Sequence, residues 1–119
     1  MPETLEPNVK AAAEACWSAR HACQRALFGF QLGEGGDHAA LAHVRLLIDT
    51  IEICQTAADF LTRNSAYQAE ICAVTAALCD ACAQSCRDLE DHRLADCIDA
   101  CENCAEFCSE IASDLELEE

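Results

Sequence analysis

Cysteine is the residue type that carries chemistry in this chain. Eleven of its 119 residues are cysteine. The stretch CDACAQSCRDLEDHRLADCIDACENC, residues 79 to 104, places three at C-x-x-C-x-x-x-C, breaks, and then repeats the spacing in mirror image. Thiolate is a soft ligand that selects Cu(I), Zn(II) or iron–sulfur clusters. Zinc usually takes four ligands from two short C-x-x-C turns, whereas here the C-x-x-C pairs sit inside stretches of helical periodicity. Zinc held by thiolates alone also leaves negative charge that is costly in an apolar core, while Cu(I) at about one ion per thiolate is near neutral. The run C-x-x-C-x-x-C-x-x-x-C-P that holds many iron–sulfur clusters is absent. Multiple Cu(I) ions are therefore the expected ligand. A zinc or iron–sulfur protein using the same cysteines is the alternative.

These thiols need elements to position them, and turn chemistry cuts the chain three times. LGEGG at 32–36 is a glycine-rich break, after which Asp37 is placed to cap a helix from His38. RNS at 63–65 is the second, with Ser65 and Gln68 spaced as a capping box. DLEDH at 88–92 is the third, with Asp91 as N-cap. Pro7 suits the first turn of the first helix. The periodicity predicts helices over about 8–31, 38–63, 66–89 and 92–115. Short connections between long helices imply an all-α, antiparallel up-down-up-down four-helix bundle, a single domain over 1–119.

Heptads laid on these helices put all eleven cysteines on the inward seam. On the second helix the seam runs Ala40, Val44, Leu47, Ile51, Cys54, Ala58 and Leu61. The mirror then has a geometric reading. Two antiparallel helices joined by a tight turn bring together residues equidistant from it, so Cys86 faces Cys97, Cys82 faces Cys101 and Cys79 faces Cys104. Extending the symmetry puts Cys16, Cys54, Thr75 and Cys108 at one level, and Cys23, Leu47, Cys82 and Cys101 at another. A free cysteine also packs as a small hydrophobe. Leu, Ala or Val would fill the same seam without oxidation risk, so the concentration of thiols argues for a use of sulfur.

Composition narrows the partners. Twenty-two acids against seven bases give a formal charge of −15, which disfavours nucleic acid and anionic membrane surfaces. No apolar stretch approaches the roughly 20 residues needed to cross a bilayer. MPETLEPNVK has neither a basic nor an apolar leader region, so the expected location is cytoplasmic, where thiols stay reduced. No Ser, His and Asp set converges on the core, and no enzymatic activity is expected. Asp80, Asp88, Asp96, Asp99, Glu102 and Glu106 read as a solvated face; the alternative is a weak attraction of cations or of a basic copper chaperone. His21 and His43 read as surface residues, and Thr75 is expected to bond back to its own helix. Trp17, Phe28 and Phe60 fall outside the strict seam, as a broadened core stripe or an oligomer face.

With inward C-x-x-x-C and C-x-x-C spacings on a cytosolic four-helix bundle, the chain resembles the bacterial copper storage proteins. The resemblance covers nearly the whole chain. It implies many Cu(I) ions held by core thiolates, a non-catalytic storage role and usually a homotetramer. By position it assigns metal binding to Cys16, Cys23, Cys54, Cys72, Cys79, Cys82, Cys86, Cys97, Cys101, Cys104 and Cys108. Members can use Met or His near an open end where copper enters. This chain has no methionine beyond Met1, which leaves His38 and His92, at the starts of the second and fourth predicted helices, as a candidate mouth beside Cys86 and Cys97.

Overall fold

A computed structural model describes residues 5–117. Its first helix, α1 (Pro7–Ala26), begins with Pro7 in the first turn, where the missing N–H has no intrahelical partner to lose. The helix then widens into a π turn, Leu27–Gln31, and ends in a last α turn, Leu32–Glu34. Gly35 and Gly36 follow at φ +74° and +56°, a conformation that a β-carbon would oppose, and they reverse the chain.

Helix α2 (Leu41–Thr62) starts later than the sequence implies. Gly36–Ala39 form a 3-10 turn, so Asp37 lies inside it. Its backbone carbonyl accepts from Ala40 N–H at 3.3 Å, and Ala40 is the uncapped residue before α2. Ala40 is accordingly exposed and Val44 half-buried at the expected seam positions. Helix α3 (Gln68–Asp88) likewise begins without the capping box. Ser65 Oγ accepts from Tyr67 N–H at 3.1 Å, and Gln68 N–H bonds the Ser65 carbonyl instead. Asp91 does cap as expected, its carboxylate accepting from Arg93 N–H at 2.9 Å. A 3-10 turn, His92–Leu94, then leads into α4 (Ala95–Ala112).

The helices pack in a ring in which α1 touches α2 and α4, and α3 touches α2 and α4, the antiparallel four-helix bundle. The described residues span about 49 × 30 × 20 Å. Small side chains set the spacing: Ala12, Ala19, Ala57 and Ala58 are fully buried with the cysteines, while Leu27, Leu47, Leu61, Leu94 and Ile111 supply the bulk. Thr75 and Thr50 return their hydroxyls to the carbonyls of Ile71 and Leu46, each at 2.8 Å, which lets both polar side chains sit in the core. Trp17 and Phe28 are exposed and Phe60 half-buried.

Candidate metal centre

All eleven cysteines are buried and unpaired by disulfides. Their intrahelical spacings of three and four place them on single faces, and the ring of helices turns those faces inward. Three groups result. Cys23 on α1 lies 3.5 Å from Cys101, 3.6 Å from Cys97 and 3.9 Å from Cys82, and all four sulfurs are within 4.8 Å of one another. Further along, Cys16 is 3.6 Å from Cys108 and 3.7 Å from Cys104, forming a trio. Cys54 is 3.7 Å from Cys79, and these two form a second trio with Cys104. Cys104 belongs to both trios, so the lower groups are continuous.

The mirror pairing holds: Cys82 with Cys101 in the quartet, Cys79 with Cys104 in a trio, and Cys86 against Cys97. The level expected for Cys23, Cys82 and Cys101 is also present. Cys54 meets Cys79 and Cys104, while Cys16 meets Cys108. Cys72 ends the column beside Cys108. Past it, at the end shared by the start of α1 and the ends of α2 and α4, buried Val9, Leu61 and Ile111 close the core with aliphatic packing.

The network has two hubs. Hydrogen bonds from Cys101, Cys23, Cys86 and Cys97 hold the Cys82 thiol well below its usual range. Cys108, Cys16, Cys54 and Cys79 do the same for Cys104. Cys97 is lowered to about 5, chiefly by Cys101 and then Cys23. The donors move the other way: Cys23 is pushed up by its bonds to Cys101, Cys82 and Cys97, with burial adding to the effect. Within this network Cys82 and Cys104 are the principal hydrogen-bond acceptors, and accepted hydrogen bonds favour the charged form of a thiol.

The expected histidine mouth takes a different form. His38 Nε2 is 3.0 Å from Asp91 Oδ2, and His92 is exposed. Among the described residues, neither joins a thiol group. Arg93 pairs with Asp91 and with Glu34 at 2.6 and 2.7 Å, and its guanidinium lies 4.4 Å from the Phe30 ring centre. These contacts clasp the loop after α1 to the α3–α4 turn. Beside the clasp, a groove of about 250 Å³ between α1 and α4 is lined by Arg25, Phe30, Arg93, Asp96 and Cys97. Cys97 has 2 % of its surface exposed, whereas the other ten cysteines have none.

His43 is a correction. Expected on the surface, it is only 7 % exposed, with Nδ1 2.6 Å from Ser85 Oγ and Nε2 2.7 Å from Gln31 Nε2. Gln31 is wholly buried at the end of the π turn, and its Oε1 has no partner. A strict heptad seam on α2 chose Val44. The observed stripe is wider, and His43 shares it with Leu47, Thr50 and Cys54 at offsets of four, seven and eleven. That spacing was the available signal; the π turn that delivers Gln31 left none. The six carboxylates assigned to the solvated face are exposed as expected, with Glu102 paired to Arg87 across α3 and α4. Among the described residues, no helix is long and apolar enough to cross a membrane.

Comparison with known proteins gives this geometry a family. The copper storage protein family model matches residues 3–113. The chain is 31 % identical over 109 residues to the uncharacterized cysteine-rich protein YhjQ of Bacillus subtilis (strain 168), covering 92 % of this chain and 100 % of that protein. Its structure is similar to the crystal structure of Nmul_A1745 from Nitrosospira multiformis, with a TM-score of 0.84, 35 % identity, and 89 % and 95 % of the two chains covered. It is also similar to the Cu(I)-bound copper storage protein BsCsp3, with a TM-score of 0.80, 30 % identity, and 88 % and 98 % covered. With the family match running through all four helices and their buried thiols, the chain belongs to the copper storage protein family.

Proposed function

We propose that this protein stores several Cu(I) ions on the thiolates of Cys16, Cys23, Cys54, Cys72, Cys79, Cys82, Cys86, Cys97, Cys101, Cys104 and Cys108, and catalyses no reaction. The observation that carries this reading is the set of eleven buried thiols, nine of them gathered in three groups whose neighbouring sulfurs lie 3.5 to 3.9 Å apart. At that spacing one soft ion is gripped by two or three thiolates, and one thiolate serves two ions. Each Cu(I) displaces one thiol proton, so loading adds no net charge to the apolar core. A protonated thiol is apolar enough to let the bundle fold empty, with metal then replacing the protons that the thiols carry.

Copper enters, in this reading, at the end where α2 and α4 begin, with His38, His92 and the groove above Cys97 forming the mouth. The acidic exterior draws the cation or a basic copper chaperone toward it. The working location is the cytoplasm, where the thiols remain reduced, and the assembly is a homotetramer.

An anaerobic Cu(I) titration of the reduced protein against a competing chelator, with circular dichroism at each point, tests the function. The expected result is tight uptake of roughly one ion per one to two thiols, with full helicity before the first addition. Uptake of one ion or none would overturn it.

A further inference from the structure

The quartet differs from the two trios in a way that changes which metal it suits. We propose that Cys23, Cys82, Cys97 and Cys101 form a tetrahedral tetrathiolate site for one divalent cation of the zinc class. The proposal uses thiols that the copper reading also uses, but stands on the geometry of this group alone.

Zinc binds thiolate sulfur at about 2.3 Å, so a tetrahedral site has sulfur–sulfur edges of about 3.8 Å. The three edges from Cys23 measure 3.9, 3.6 and 3.5 Å, and the remaining ones are within 4.8 Å. Small side-chain rotations suffice to close such a tetrahedron on an ion. Four sulfurs in that arrangement favour zinc or iron–sulfur chemistry, whereas carboxylate and water sets favour harder ions. The ligands come from three helices, α1, α3 and α4, so the site needs the assembled bundle and no loop.

The trios lack this property. Cys16, Cys104 and Cys108 offer three sulfurs, as do Cys54, Cys79 and Cys104. A tetrahedral ion there would have an empty corner in a dry core. Low-coordinate Cu(I) has no such need. The chain therefore holds two kinds of soft-metal geometry in one column.

Charge argues against filling the whole core with zinc, but tolerates one ion. The cation replaces four thiol protons, which leave to solvent, and no electrons move. The bound unit carries two negative charges. Two further thiols adjoin it, Cys86 beside Cys82 and Cys97, and Cys79 beside Cys101. An S–H of either that donates to a coordinated sulfur disperses the residual charge.

Cobalt(II) is the probe, added anaerobically to the reduced, metal-free full chain. The expected result is one ion per chain with the intense visible bands of tetrahedral thiolate coordination and sulfur-to-cobalt charge transfer, displaced by one equivalent of Zn(II). X-ray absorption of the zinc form should show four sulfurs at about 2.3 Å. Cys23→Ser and Cys101→Ser should weaken zinc binding at least about 100-fold, and Val74→Ala, on the exposed face of α3, should leave it unchanged, with circular dichroism confirming each fold. Octahedral cobalt, oxygen or nitrogen neighbours in the absorption spectrum, or equal losses in the Val74 variant would overturn the proposal. A Cu(I) titration of the same sample separates the two readings: full copper uptake without tetrahedral cobalt overturns this site alone, and a zinc site without copper uptake overturns copper storage alone.

Discussion

The sulfur of Cys23 on α1 lies 3.5 Å from that of Cys101 on α4, although 78 residues separate them. That contact closes the ring between the first helix and the last. It also means the mirror-image repeat on α3 and α4 does not work alone: α1 contributes Cys23 to the quartet and Cys16 to a trio, and α2 contributes Cys54. Thiols that join groups should therefore matter more than thiols at the ends of the column.

Cys82 interacts with Cys101, Cys23, Cys86 and Cys97, whereas Cys72 adjoins Cys108 at the closed end. Cys82→Ala should lower Cu(I) capacity by more than one ion per chain and Cys72→Ala by no more than one. Each removes a single buried sulfur and should cost about 1 kcal/mol of apo stability. Equal losses of capacity in chelator titrations of the two variants would show that the thiols bind independently.

Cys97 is the one thiol with any exposed surface, and it lines the groove between α1 and α4. Cys97→Ala should slow copper uptake several-fold while Cys54→Ala, deep in the column, leaves the initial rate unchanged. Stopped-flow mixing with a Cu(I)–chelator complex reads the rate directly. An unchanged rate in the Cys97 variant would place the mouth elsewhere.

Much of this arrangement was legible because cysteine spacing is a helical pattern written in one chemically distinct residue. The inward phase of every cysteine and the facing of Cys82 with Cys101 follow from period and turn position alone. What failed were local contests among caps. Asp37 and the Ser65–Gln68 pair have the right residue types, but Gly35 and Gly36 at positive φ lead into a 3-10 turn, and Ser65 bonds Tyr67 instead. His43 was missed because a polar residue next to a seam position looks like surface. Its burial depends on Ser85 and on Gln31, which a π turn supplies from another helix.

Asp91 joins three functions, capping the turn into α4, accepting from His38 and pairing with Arg93. Its carboxyl is held well below the usual range, chiefly by Arg93. A depressed carboxyl contributes stability that is fully present above the unfolded value and is lost as pH falls through the folded one. Asp91→Asn keeps the shape and the capping oxygen but removes the charge. It should lower the melting temperature by several degrees at pH 7 and little at strongly acid pH. The same clasp lies at the end proposed as the entry for copper, so on that proposal this variant should also speed copper uptake. A melting temperature equal to that of the parent at pH 7 would mean the clasp contributes nothing.

His43 gives a second pH dependence, at milder acidity. Burial pushes its imidazole below the ordinary value of 6.5, with the nearby Cys82 and Cys97 opposing the shift and His38 reinforcing it. The unfolded chain therefore binds a proton that the folded one resists. Stability from this residue is fully present above pH 6.5 and falls away as pH drops toward the folded value. Its neutral ring also leaves Ser85 and Gln31 as the two groups that fix its orientation. In His43→Leu the urea midpoint should change less between pH 7.5 and pH 5 than in the parent, while Ser85 and Gln31, now lacking partners, lower stability at both. Identical pH slopes in parent and variant would show that another group carries the dependence.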